Sequence, residues 1–289
     1  MADGYTLLHT GAAVWLDRDV ISVSGPDAAK YLQGQLSQDV SNLAASTWSW
    51  ILQPQGKVDA LLRVTPFADT FILDTEAGWG QALADRLNRF KLRTKAEVTL
   101  LPWRCLALRG SADNPLVATA AAPSDGVVAT VSWPGMTGVD LLGAEVDVPG
   151  DLPVVDAADY EVLRIEAGVP RMGAELTERT IPAETGLVPV TVSFTKGCYT
   201  GQELVARIDS RGSHVAKNLR GLRLAGPAQA GASLEAGGKS VGTLTSVAES
   251  PALGWVGLGY VGRSVEPGGT VTVEGSPGEA RVELLPLVP

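Results

Sequence analysis

Short apolar runs broken by turn residues alternate with stretches of helical period through the first half of the chain. Val20 to Val23 reads as a strand, and Ser24-Gly25-Pro26-Asp27 starts a helix, with proline near its first position, that runs through Ala28, Tyr31, Leu32 and Leu36. Trp48 to Gln53 and Lys57 to Thr65 read as two strands joined by a turn at Pro54-Gln55-Gly56. Thr70 to Asp74 adds a strand, after which Leu83, Leu87 and Phe90 recur at three- and four-residue spacing and mark a helix. Further strands are expected at Val98 to Leu101, Cys105 to Arg109, Val127 to Trp133 and Val139 to Leu142. The stretch 118–125 is expected to be a loop, and 144–153 a crossing between lobes. Asp156 to Ala167 reads as a helix stopped by Gly168, with Pro170 just beyond. After Arg220 helical periodicity vanishes, and short apolar runs between glycine and proline turns predict a small all-β domain, a barrel or a sandwich. The alternation as a whole predicts an α+β fold with largely antiparallel sheets.

Composition narrows the function classes. The chain has 289 residues, enough for about two domains and a sizeable core, with 45% hydrophobic and 19% charged residues. Its start has no basic head and no long apolar stretch, so a cytoplasmic, non-membrane protein is expected. Cys105 and Cys198, the only cysteines, form no C-x-x-C pair and support neither a disulfide framework nor a structural zinc site. A cubane iron–sulfur cluster usually takes four cysteines, so this chain cannot hold one alone. The net charge of −9 argues against general binding of nucleic acid or anionic membrane. Basic residues nevertheless cluster in two runs, Arg86 to Lys95 and Lys196 to Arg223. Each is either a solvated face or a cationic wall for a polyanionic ligand or an RNA strand.

The octet Lys196-Gly-Cys-Tyr-Thr-Gly-Gln-Glu203 carries the most specific chemistry. Thr200 and Glu203 have capping-box spacing before Leu204, Val205, Ala206 and Ile208, which predicts a helix beginning at Thr200. Cys198 then lies beside the positive end of that helix and two residues from Lys196, an environment that favours a reactive thiolate. The alternative is a buried cysteine that only packs.

Three stretches together, YLQGQLSQDV (31–40), RIEAGVPRMGAEL (164–176) followed by IPAETGL (181–187), and SFTKGCYTGQELVAR (193–207), resemble the folate-binding YgfZ-type proteins. These are relatives of the glycine-cleavage aminomethyltransferase, or T-protein, and are linked to iron–sulfur cluster assembly or repair and to maturation of tRNA-modifying enzymes. The resemblance implies a monomer, and a three-lobed, aminomethyltransferase-like ring with tetrahydrofolate, or another folate derivative, in its central channel. One lobe would combine residues 1–46 and 144–212. A ferredoxin-like lobe would cover 47–143 and a C-terminal β-barrel 213–289.

On that resemblance Glu166 matches the pterin-binding glutamate, since a carboxylate accepts in parallel from the paired donors of a pterin. Its alternative is an exposed acid paired with Arg164 or Arg171. Glu175, Arg164, Tyr199, Gln202 and Arg207 are further candidates for the folate site, and Trp48, Trp50 and Tyr31 are candidates for its aromatic walls. Cys198, assisted by Lys196, would be the reactive or cluster-facing group, lending one ligand to a transient iron–sulfur cluster shared with assembly or client proteins. The aminomethyltransferases carry consecutive acids where this chain has Asp59-Ala60. Asp59 alone is left for a folate-dependent aminomethyl or one-carbon transferase, the second function considered, and whether it faces the channel is open.

Overall fold

The strands and helices expected between residues 18 and 167 are present in the computed structural model, which describes residues 3–111 and 113–288. Ahead of them lie two elements that the apolar spacing does not announce, α1 (Gly4–Thr10) and β1 (Ala12–Leu16). Asp3 caps α1 by accepting the Thr6 amide at 2.8 Å, a bond worth about 1 kcal/mol to a short helix.

There follow β2 (Arg18–Ser24), α2 (Ala28–Gln35), β3 (Thr47–Leu52), β4 (Val58–Phe67), β5 (Thr70–Glu76), α3 (Gly80–Phe90) and β6 (Glu97–Leu101). Their strands form an antiparallel sheet in the order β3-β4-β5-β2-β6. Leaving β3 aside as an added edge strand, β2-α2-β4-β5-α3-β6 is the βαββαβ arrangement of a ferredoxin-like unit. That unit spans 18–101 rather than the expected 47–143. The reason is β2, whose Val20, Ile21 and Val23 are fully buried and whose backbone is paired with β5 on one side and β6 on the other. A boundary at residue 46 would cut through this sheet.

The strands β7 (Arg104–Arg109), β8 (Val127–Trp133) and β9 (Met136–Gly143), with the one-turn helix α4 (Pro115–Ala118) between β7 and β8, recruit β1 to a second antiparallel sheet, ordered β1-β7-β9-β8. The helix α5 (Ala157–Ala167) packs across it. Gly168 ends α5 in the left-handed conformation, φ 71°, and a side chain there would meet Leu285 at 2.9 Å, so both backbone and space call for glycine. Leu163 of α5 joins the main core with Leu32, Trp50 and Leu62, while Ile165 packs on Leu219, Leu258 and Leu287 of the C-terminal region. Each such leucine contributes about 1.5–3 kcal/mol of burial.

Two single-turn helices, α6 (Pro182–Thr185) and α7 (Val188–Thr191), and then α8 (Gln202–Asp209) lead to the last lobe. There β10 (Lys217–Arg223), β11 (Ser233–Ala236), β12 (Lys239–Ser250), β13 (Gly254–Gly262), β14 (Thr270–Val273) and β15 (Glu279–Glu283) close into a barrel, with β15 returning to β10. Closure leaves no free strand edge, and the barrel encloses its own core around Leu222, Leu234, Leu244 and Val282. Among the described residues no helix is long and apolar enough to cross a membrane.

Candidate functional site

A cavity opens where the two sheets face each other and α5 closes one side; Arg18, Trp48, Arg109, Asp140, Tyr160 and Glu161 are among its walls. The charged walls are tied into one chain. Asp74 accepts from Arg18 and, at 2.9 Å, from Arg63; Arg63 reaches Asp140 at 2.8 Å, and Asp140 accepts from Arg109 at 2.7 Å. Burial pushes the Asp140 carboxyl up, but Arg109 and Arg63 outweigh it and hold it at about 2. Trp48 and Arg109, which line the cavity, each hold a buried donor, Nε1 and Nε, with no hydrogen-bond partner among the described residues. An orphaned buried donor is costly, so an acceptor that reached either one would be bound favourably. The Trp48 ring is itself fixed edge-on by Trp133, with centroids 5.2 Å apart.

On α5, Glu161 accepts from Arg164 at 2.8 and 2.7 Å and from Arg171 at 3.3 Å. Arg164 is buried and reaches on to Glu175 at 3.2 Å and Ser246 at 2.7 Å. Glu175 lies behind it, outside the cavity wall, accepting also from Thr245 at 2.7 Å, Ser246 at 2.6 Å and the Arg171 amide at 3.0 Å. Those bonds make Glu175 a fastener between α5, its following loop and the barrel. Glu166 is fully buried, where an exposed, arginine-paired acid was the alternative reading. Its two oxygens accept from the Tyr5 hydroxyl of α1 at 3.2 and 3.1 Å, and it does not line the cavity. Burial, and then the Glu166 charge, push the Tyr5 phenol up to about 12.

The Cys198 loop forms a second, separate locus. Thr200 is not the helix cap: α8 begins after Gly201, at φ 81°, and no side chain caps it. The Thr200 amide instead donates to Gly34 O at 3.2 Å, and Gly201 presses so closely on the β3–β4 turn that a side chain would meet Gln53 O at 2.5 Å. Tertiary contact has overridden the capping-box spacing. Lys196 is half-buried, and its Nζ donates to Leu36 O at 2.6 Å and Gln38 O at 2.9 Å while lying over the Tyr199 ring. Burial pulls the Lys196 ammonium down to about 8. These bonds pin the loop across the end of α2, and Cys198 stands exposed on its crest. The reading of Cys198 as a buried packing residue is thereby overturned. Gln202 starts α8 and accepts from the Tyr199 amide at 3.2 Å; Tyr199 is half-buried against the core, and Arg207 is exposed on α8.

Of the folate candidates, the structure places Arg164 on the cavity and keeps Glu166, Glu175, Tyr199, Gln202 and Arg207 off its walls. Trp48 lines the cavity, whereas Trp50 and Tyr31 are core residues. Asp59 lies in a different cleft beside α3, 2.6 Å from Arg86 Nε. Sequence reasoning missed Arg18, Arg109, Asp140 and Glu161. The signal available for Arg109 and Asp140 was a charge set inside an apolar strand, as in Leu106-Ala-Leu-Arg109 and Val139-Asp-Leu-Leu142, where burial demands a partner or a use.

Comparison with known proteins agrees with this architecture. The family model described as the glycine cleavage T-protein C-terminal barrel domain matches residues 217–288. The mitochondrial iron–sulfur cluster assembly factor IBA57 of Mus musculus is 30% identical, over 91% of this chain and 81% of its own length. The tRNA-modifying protein YgfZ of Klebsiella pneumoniae is 32% identical, over 68% of this chain and 67% of its own. An IBA57 homolog of Pyricularia oryzae is 33% identical over 68% of this chain, which spans only 53% of that longer protein. The crystal structure of the aminomethyltransferase T of the Bartonella henselae glycine cleavage system superposes with a TM-score of 0.84, covering 98% of this chain and 88% of that one. At 24% identity that match shows a shared fold.

Proposed function

Because the chain belongs to the family of the iron–sulfur cluster assembly factor IBA57 and the tRNA-modifying protein YgfZ, we propose that it is a tetrahydrofolate-binding accessory factor for iron–sulfur cluster assembly or repair. Its clients in this reading are cluster-dependent enzymes, tRNA-modifying enzymes among them. The observation that carries the reading is the exposed Cys198 on a loop pinned to α2 and to the β3–β4 turn. A sulfur held outward on a fixed backbone is placed to lend one ligand to a cluster carried by a partner protein, the cluster being cargo.

The cavity residues fit a folate. Trp48 offers a flat apolar wall, Trp48 Nε1 and Arg109 Nε are donors without a partner among the described residues, and Glu161, already accepting three bonds, keeps one lone-pair site for a ring N–H. Arg171 is half-exposed at the cavity and suits the carboxylates of a glutamyl tail. Bound there, tetrahydrofolate supplies a reduced pterin able to carry one-carbon units or yield electrons. The transferase alternative is disfavoured because Asp59 is engaged by Arg86 away from the cavity. Asp140, held at about 2, is far from the near-neutral value that acid–base catalysis wants.

The test is complementation in cells lacking the protein. Cys198→Ala is expected to keep its fold and tetrahydrofolate affinity yet fail to restore cluster-dependent enzyme activity. Full rescue by the alanine variant would sink the reading.

A further inference from the structure

The basic run that ends at Lys95 has no role in either locus, and its surroundings define a surface of their own. A groove runs between α2 and the turn that follows α3, lined by Lys30, Tyr31, Gly34, Gln35, Leu92 and Arg93. Leu92 is 80% exposed, unusual for a large apolar side chain, while Phe90 turns to the Asp59 cleft, where the Arg86 guanidinium lies over its ring at 5.0 Å. Between Leu92 and Lys95, Arg93 sits at φ 24°, in the left-handed region that residues with side chains seldom occupy. On α2 and along the stretch that carries Leu92 stand Lys30, Lys91, Arg93 and Lys95, none of which takes part in an ion pair among the described residues. Among the described residues Asp27 is the one acid on the groove wall, and its carboxylate accepts the Lys95 amide at 2.8 Å. On a chain of net charge −9, such a run of unpaired cations is a local reversal of sign.

The groove is continuous with the Cys198 loop. Gly34, on its wall, is the residue whose carbonyl accepts the Thr200 amide, and two residues further along the chain the Leu36 carbonyl accepts Lys196. A chain lying in the groove is thereby led toward the crest that carries Cys198.

We propose that the groove between α2 and residues 91–95 docks an acidic segment of the iron–sulfur protein partner, with Leu92 as its apolar anchor. The inference rests on the function assigned to Cys198 and adds the partner's chemistry and its landing place. Charge complementarity selects an acidic polypeptide, and the exposed Leu92 favours a protein over a nucleic acid, whose backbone has nothing apolar to offer it. Basic groups at the rim speed and orient encounter, while the apolar anchor slows departure.

The experiment uses the full chain and three fluorescent probes: a glutamate-rich peptide containing leucines, a polyglutamate of equal charge, and a single-stranded RNA. The leucine-containing peptide is expected to bind best and to weaken as salt rises. Lys30→Glu combined with Arg93→Glu should weaken it about tenfold, and Leu92→Ser should erase its advantage over polyglutamate. Both variants change exposed side chains, and circular dichroism checks that they fold. Absence of peptide binding, binding indifferent to all three substitutions, or preference for RNA overturns the inference. Cys198→Ala separates the two readings, since it leaves peptide affinity unchanged. If it rescues cells fully while the groove variants lose peptide binding and rescue together, the cysteine's role falls and the groove stands.

Discussion

Arg63 on β4 forms an ion pair from Nη2 with the Asp140 carboxylate on β9 at 2.8 Å, so one guanidinium joins the two sheets whose gap is the cavity. Arg63 also holds Asp74 at 2.9 Å and is fully buried, so removing a partner strands charge in the interior. Asp140→Asn is expected to lower the unfolding free energy by about 3–5 kcal/mol in urea titrations near neutral pH. The acid dependence has a definite sign. Asp140 titrates at about 2 in the folded chain, where Arg109 and Arg63 outweigh the effect of burial, and near 3.9 when unfolded. Its contribution is complete above that unfolded value and fades as pH falls toward 2, so the gap between wild type and variant should narrow in acid. A gap that widens in acid contradicts the assignment.

Glu161 and Glu166 lie on the same helix but face different surroundings, and tetrahydrofolate titration distinguishes them. Glu161→Gln is expected to weaken binding about tenfold, as loss of a charge-assisted acceptor would. Glu166→Gln should bind folate like wild type and lose roughly 1 kcal/mol of stability through its weakened bond with Tyr5. The reverse pattern would place the pterin in the Tyr5 pocket.

Most of the secondary structure was legible because apolar period and turn residues agree locally, as at Pro54-Gln55-Gly56 and at the Gly168 helix stop. The C-terminal region was legible as all-β for the same reason, while its closure into a barrel came from the resemblance. Partition into lobes was not, because β2 takes its partners from strands ~50 and ~75 residues away in sequence, and a local pattern carries no pairing information. The site divides similarly. Cys198 and its motif could be found from spacing, but Thr200–Glu203 satisfied a capping rule that packing against Gly34 and Gln53 overrode. Glu166 was placed in the site by resemblance; which side of α5 faces the cavity depends on where the barrel and α1 dock, and that favours Glu161.

Two glycines flank the cysteine and predict opposite outcomes. Gly201 has φ 81° and no room beside Gln53 O, so Gly201→Ala costs about 1–2 kcal/mol in backbone conformation and a further 1–3 kcal/mol in displacement of the turn. Gly197 has open space where a side chain would stand and no left-handed backbone, so Gly197→Ala should leave thermal stability within about 0.5 kcal/mol of wild type. Thermal melts of the pair check this. Equal losses would mean that the loop is not braced against the β3–β4 turn.

Lys196 is the remaining brace, and its protonation gives a second pH signature. Burial lowers its folded value to about 8, below the ordinary lysine range near 10.4, so between those values the unfolded chain holds the proton more tightly. Stability therefore rises with pH across that window, and the penalty for burying the charge is complete below it. The neutral amine still has two hydrogens for Leu36 O and Gln38 O, so the loop stays pinned when the proton leaves. Lys196→Met loses both bonds and leaves two carbonyls short of a donor, at about 1–3 kcal/mol for each that water cannot reach. Amide exchange at Thr200, whose bond to Gly34 depends on the loop's position, should accelerate in this variant. Its stability should also lack the alkaline rise, so the wild-type advantage in urea unfolding grows from neutral pH to pH ~10. An advantage that shrinks over that range would show that the charged ammonium, rather than two donated hydrogens, is what holds the Cys198 loop in place.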